Sequence, residues 1–402
     1  MIAGTPVLDL DDVASLEAAD SGGTLRSAAS GGAQVRATAA AIGEDALGRL
    51  TDLRPRSLVL VSGSGRAARA AALLVAALGD RAGLPIVPVT EIPQWVGPLD
   101  VVLVAGDDAG DPRLIGAVDR ALRRGAEVVV AAPDEGPLRA AAAGRAAMLP
   151  PRIRVLDHNR LLRYLAVGVA VLRAIDPARS GPLVPDLDAL ADALDAEAMR
   201  DSPANEVFHN PAKTLAARMQ ERRIVLAGDS PAATEVAAHT CEVLLQATGQ
   251  IAAATSLADA VAANTRMSEA AGVTAPGYDP LFHDEQLDGP APVERVRVFV
   301  VSADPDQVAA HRRLAVFGGS AGLVDADLVS ADIEPAITEA AVPRAAEALL
   351  AEPVSEPPGR GGMIEQLAVL ILRLEMATAY LRLLGSRPTA DDRPTQYDGG
   401  PY

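Results

Sequence analysis

Four times in this chain an apolar run closes in small or acidic residues just before an alanine-rich helical stretch. The four are VLVSGSG (59–65), VLVAGDD (102–108), VLAGDSP (225–231) and VFVVSAD (298–304). Near-continuous Val/Leu/Ile runs that alternate with helices are the pattern of a parallel sheet covered on both faces. The expected class is therefore α/β, with two similar parallel-sheet units whose strand ends face one cleft. Strands are expected at 57–62, 85–89, 100–105, 126–131 and 146–149, with helices at 66–79, 113–124 and 158–174. An earlier helix over Thr24–Ile42 is interrupted at Gly31-Gly32. The second half restarts as helix, strand (223–227), tight loop, helix (231–247), with another strand at Val296–Val301. The stretch DPARSGPLVPDLDAL (176–190) is rich in proline and aspartate and marks the linker. The expected organisation is a first unit at 1–180, a linker at 181–204 and a second unit at 205–402.

Charge and composition narrow the partners. A net charge of −17 argues against nucleic acid or an anionic membrane surface. One cysteine, Cys241, excludes an internal disulfide framework and fits a reducing, cytoplasmic compartment. It reads as a buried, inert thiol. The start, MIAGTPVLDLDDV, lacks the basic and apolar regions of a signal peptide. The apolar stretch Met363–Leu384 carries Glu365, Arg373, Glu375 and Arg382, a charge density that fits a buried helix better than a bilayer span. The five histidines at 158, 209, 239, 283 and 311 form no metal-ligand spacing, so no metal is expected. Trp95 reads as packing at the start of a strand, with sugar stacking as the alternative.

The turn Ser62-Gly63-Ser64-Gly65 at a helix N-terminus is a natural anion seat, because free backbone amides converge there. Its G-x-G-x-x-A spacing also permits a dinucleotide, but the nearest acid for a ribose, Glu91, stands too far along the chain. No cofactor is expected. A sugar phosphate fits better, for the following reason.

The segments around the turn resemble a sugar isomerase (SIS) domain, and specifically the bifunctional phosphoglucose/phosphomannose isomerases in their actinobacterial, TobH-like branch. The resemblance rests on VVLVAGDDAGDPRLIGAVDRALRRGAEVVVAAPDEGPLRAAA, on MLPPRIRV (148–155), on NPAKTLAARM and on ATAYLRLLGSRP (377–388). It implies two SIS-like domains, a hexose phosphate ligand and a homodimer. By resemblance and position, the ligand residues are Ser62, Gly63, Ser64, Gly65, Gly106, Asp107 and Asp108, with Asp229 and Ser230 at the second copy.

The family pattern is not kept where the chemistry lies. Its Ser/Thr-rich phosphate loop is replaced by Ala105-Gly106-Asp107-Asp108-Ala109-Gly110-Asp111, whose carboxylates repel a dianion at close range. Asp111 reads equally as the cap of a helix that starts at Pro112. The family's glutamate base has no counterpart at the matching place in CEVLLQATGQIAAA, which offers Gln246 and Thr248, with Glu242 one turn earlier. Its histidine is missing from VAANTRMS, leaving His283 in a distant loop, and its lysine cannot be replaced, since Lys213 is the sole lysine. Arg152 fills the arginine role, with Arg154 an equal claimant. Two functions stay open: a catalytically depleted sugar-phosphate-binding protein, and an active aldose–ketose isomerase that uses Arg152, Glu242 and His283. In either case the partner is a small sugar phosphate, with no nucleic acid and no membrane.

Overall fold

A computed structural model of the chain describes residues 8–220, 222–271, 295–304, 308–317, 323–331 and 362–385. Helices α1 (Val13–Ala19), α2 (Thr24–Ala29) and α3 (Gly31–Gly43) lead into the first sheet. That sheet is built from β1 (Ser57–Ser62), β2 (Ile86–Val89), β3 (Asp100–Ala105), β4 (Glu127–Ala131) and β5 (Ala147–Met148). Helices α4 (Arg66–Leu78), α5 (Pro112–Arg123) and α6 (Gly136–Ala142) connect them, and α7 (Leu161–Ile175) follows. Then come α8 (Leu187–Arg200), α9 (Pro211–Met219), β6 (Arg223–Gly228), α10 (Pro231–Thr248), β7 (Ala252–Ser256), α11 (Leu257–Ala262) and α12 (Asn264–Ala271). The described elements end with β8 (Val296–Ser302), α13 (Val308–Leu314), β9 (Val324–Ser330) and α14 (Gly362–Gly385).

Every pairing is parallel. The strand order is β2-β1-β3-β4-β5 in the first sheet and β7-β6-β8-β9 in the second. The expected α/β class with two parallel sheets is the one found. β1 and β3 are apolar along almost their whole length because both faces are covered by helices, and β3 is buried throughout. The order reverses between β1 and β3, and again between β6 and β8. In open α/β sheets such switch points open a crevice at the strands' C-terminal ends. The four repeated strand ends of the sequence are the four that flank these two crevices.

The largest core cluster joins the two halves, with Leu58 and Leu103 from the first sheet and Leu226 and Phe299 from the second. Helix α14 lies in this core and packs against α2, α8, α9 and α10. Among the described residues no helix is long and apolar enough to cross a membrane. The charges of α14 are met inside the protein: Arg373 donates to Glu197 of α8, and Glu375 is reached by two donors described below. Residues 181–204, expected as a linker, contain a short turn and helix α8. Asp186 caps α8, and Arg36 of α3 binds its Asp192 and Asp195 at 2.7 and 2.6 Å.

Candidate functional site

The two switch points differ at their helix N-termini. Ser230 caps α10, its side chain accepting from the Ala233 amide, and Pro231 takes the first position. The turn before it is tight: a Cβ on Gly228 would stand 2.1 Å from the Thr234 amide nitrogen. Asp229 is turned in here, and burial pushes its carboxyl pKa up. Helix α4 has no such cap. Its N-cap is Gly65 at φ +78°, a conformation that suits glycine, and among the described residues no side chain caps its free amides.

In front of this uncapped terminus is a cavity of about 210 Å³. Gly63, Ser64, Gly65 and Arg66 line it from the β1–α4 turn. Gly106, Asp107, Asp108, Asp111 and Leu114 line it from the loop after β3 and the start of α5, and Asp157 and Gln246 complete the wall. The structure thus brings together Gly63, Ser64, Gly65, Gly106, Asp107 and Asp108 of the expected set. Ser62 borders a smaller adjoining space of about 20 Å³, beside Tyr164. Asp229 and Ser230 do not line the cavity, so the two strand-end pairs do not share it.

The acidic loop is largely partnered. Asp107 accepts from the Tyr164 hydroxyl at 2.6 Å and pairs with Arg160 at 2.9 Å. Arg160 also holds Asp157 at 2.7 Å. Asp108 accepts from the Gly110 amide at 2.7 Å. Asp111 caps α5, taking the Arg113 amide at 2.8 Å, and the Arg113 guanidinium holds its carboxyl below the usual range. The direct clash with a dianion expected from the sequence is therefore softened by two arginines.

The two residues expected to be catalytic stand elsewhere. Arg152 pairs with exposed Glu44 at 2.6 Å and lines a separate small cavity beside Gln34 and Arg163. Glu242 lies between two guanidinium groups: one oxygen meets Arg66 at 2.6 Å, and the other accepts from Arg69, which also binds Glu235. Each of its oxygens is thus engaged by an arginine. His283 falls outside the described residues. Among the described residues, no cluster of His, Cys, Asp or Glu could hold a metal.

Other expectations can be placed as well. Trp95 is 48% exposed at the opposite end of the sheet from the cavity, with the Arg56 guanidinium 5.6 Å from its ring centre. Burial pushes the Cys241 thiol up to about 12, which makes it unreactive. Arg66 was missed from sequence, although it follows the glycine turn directly and, among the described residues that line the cavity, is the one with a positive charge.

The sequence matches no protein-family model and no curated protein. Solved structures do resemble it. Tagatose-6-phosphate ketose/aldose isomerase from Escherichia coli is 13% identical at a TM-score of 0.54, covering 94% of this chain and 99% of its own. The C-terminal domain of glucosamine-fructose-6-phosphate aminotransferase from Francisella tularensis is 8% identical at 0.55, covering 96% and 98%. A protein of Silicibacter pomeroyi, provisionally assigned as a phosphosugar isomerase, is 13% identical at 0.54, covering 89% and 96%. At these identities the likeness is one of fold, and that fold has the two parallel, helix-covered sheets the sequence led us to expect.

Proposed function

We propose that the chain binds a phosphorylated sugar, a hexose phosphate first of all, and turns it over little or not at all. The observation that supports this is the uncapped N-terminus of α4 facing a polar cavity where the strand order reverses. The cavity is smaller than the roughly 300–1,000 Å³ clefts of drug-sized ligands, which suits a molecule of sugar size. It is also two-ended. The amides at Gly65–Ala67 and the Arg66 guanidinium suit an anion. At the far wall, Asp107, Asp108 and Asp157 can accept from sugar hydroxyls, with Arg160 offsetting part of their charge.

The reading is tested at the turn. Combining Ser64→Ala with Gly65→Val removes a hydroxyl and forces a β-branched residue into positive φ. Affinity for glucose 6-phosphate, measured by calorimetry, is expected to fall at least tenfold. Unchanged affinity, or no binding by the parent protein at millimolar sugar phosphate, would remove the reading.

On this reading the chain comprises SIS-like units at 1–180 and 205–402 joined by 181–204, and acts in the cytoplasm as a two-fold dimer, the commonest symmetry for soluble homo-oligomers. Light scattering is expected to report twice the 41.3 kDa of one chain. A single-chain mass at micromolar concentration would count against the dimer alone.

A further inference from the structure

A buried polar line runs from the cavity into the core, and ligand contact alone does not explain it. Arg66, 4% exposed, donates from Nη1 to Nδ1 of His239 at 2.8 Å. A guanidinium can only donate, so Nδ1 must accept, and the neutral ring carries its proton on Nε2. Burial holds the His239 pKa well below its ordinary value, and the guanidiniums of Arg66 and Arg69 of α4 and the nearby His158 act in the same direction. The ring is neutral. Its Nε2–H donates to Oε1 of Glu375 at 2.7 Å. Oε2 of Glu375 accepts from the Asn159 side chain at 2.7 Å, and Asn159 in turn accepts from the Ser27 hydroxyl at 2.8 Å. His239 and Glu375 have no contact with solvent to speak of, and they come from α10 and α14, on the other half of the chain from α4.

We infer that His239 and Glu375 are positioning residues: together they fix the Arg66 guanidinium in the cavity wall and so set the affinity for the ligand's anionic group. This rests on the sugar-phosphate reading. Arg66 has a second partner, Glu242, but that side chain is a third exposed and shared with Arg69. An arriving anion competes with Glu242 for the same guanidinium. The contact to His239 lies behind Arg66 and survives that exchange. Because the line is buried and fully hydrogen-bonded, the guanidinium is ordered before the ligand arrives, and less freedom is lost on binding.

The first test needs no ligand. Nitrogen-15 NMR of the parent protein, with His239 assigned by its loss in a variant, is expected to show protonated Nε2, bare Nδ1 and hindered rotation of the Arg66 guanidinium. A proton on Nδ1 would overturn the inference, since Arg66 could not then donate there. The second test uses two probes, inorganic phosphate and glucose 6-phosphate. His239→Leu is expected to weaken both at least tenfold. His239→Gln, whose amide can accept from Arg66 and donate to Glu375, is expected to stay within threefold of the parent. Equal losses in the two variants, or none in His239→Leu, would overturn it. If His239→Leu does not fold, the parent's NMR and the Gln variant decide. If the parent binds neither probe, the sugar-phosphate reading falls, while the tautomer and the guanidinium rotation still show whether the line holds Arg66.

Discussion

Purified protein given glucose 6-phosphate or mannose 6-phosphate is expected to form no measurable fructose 6-phosphate. Aldose–ketose isomerisation needs ring opening and then a base that moves a proton between neighbouring carbons, and each positioned group contributes roughly 10²–10⁴-fold. The carboxylate nearest the expected base, Glu242, has one oxygen on Arg66 and the other on Arg69. Arg152 faces Glu44 outside the cavity. The only lysine, Lys213, is buried, its ammonium donating to the carbonyls of Pro203 and Asn205 at 2.8 and 2.7 Å. Such losses do not multiply cleanly, because catalytic groups act as a unit, yet even a partial loss leaves a rate many decades below a working enzyme. A coupled assay that returned kcat within the usual range of about 1–10³ s⁻¹ would overturn this expectation and make the chain an isomerase. Glu242→Gln would then be the first variant to make: a base would be abolished by it, whereas a mere arginine clamp would not.

What could be read from the sequence follows burial. β1, β3, β6 and β8 are continuous apolar runs because they lie centrally and are covered on both faces, so their composition alone marks them. The edge strand β7 is AAATS, partly exposed and without the β-branched or aromatic signature of a strand, and no strand was expected there. β9 is VDADLVS, again at an edge, where Asp325 and Asp327 are drawn in by Arg297 and Arg218. Helix α8 lay in a stretch whose prolines and aspartates signalled a loop. Yet Asp186 is its cap, and Leu187, Leu190, Ala191 and Leu194 form a buried stripe at helical spacing. The site shows the same contrast. The glycine turn and the acidic loop are local, and they were found. The bonded pairs of the Arg66–His239–Glu375 line are 173 and 136 positions apart, which no local pattern can display. The one available signal was Glu375 itself, since a carboxylate inside a buried apolar helix must find partners.

That carboxylate also gives the protein an expected pH response, in which its melting temperature falls between pH 6.5 and 8.5. Burial pushes Glu375 up to about 8. Burial, reinforced by the nearby Glu197, pushes Asp201 up to about 8 as well. In the unfolded chain both ionise near pH 4. Between those values the folded state holds protons that the unfolded state has released, so stability falls as pH rises and the loss is complete only above about 8. In the lower part of this window the buried histidines work the other way. Burial lowers His158 to about 4 and holds His239 well below its ordinary value, so below about pH 6.5 the unfolded chain takes up protons there first and the gain from the two acids is roughly offset. Still lower, carboxylates such as Asp100 and Asp111, held down by Arg56 and Arg113, lose their pairing. Stability should therefore be nearly level between about pH 4 and 6.5 and fall above that range. From 6.5 to 8 the two buried acids cost on the order of 2–4 kcal/mol together, which in a chain of this size lowers Tm by roughly 2–5 °C. Both donors, Asn159 to Oε2 and His239 to Oε1, favour the ionised acid, and burial outweighs them. Glu375→Gln mimics the protonated acid and should roughly halve the drop in Tm measured by calorimetry at pH 6.5 and 8.5. An unchanged drop in that variant would place the titration elsewhere, and a parent protein equally stable at both pH values would show that neither acid is buried as described.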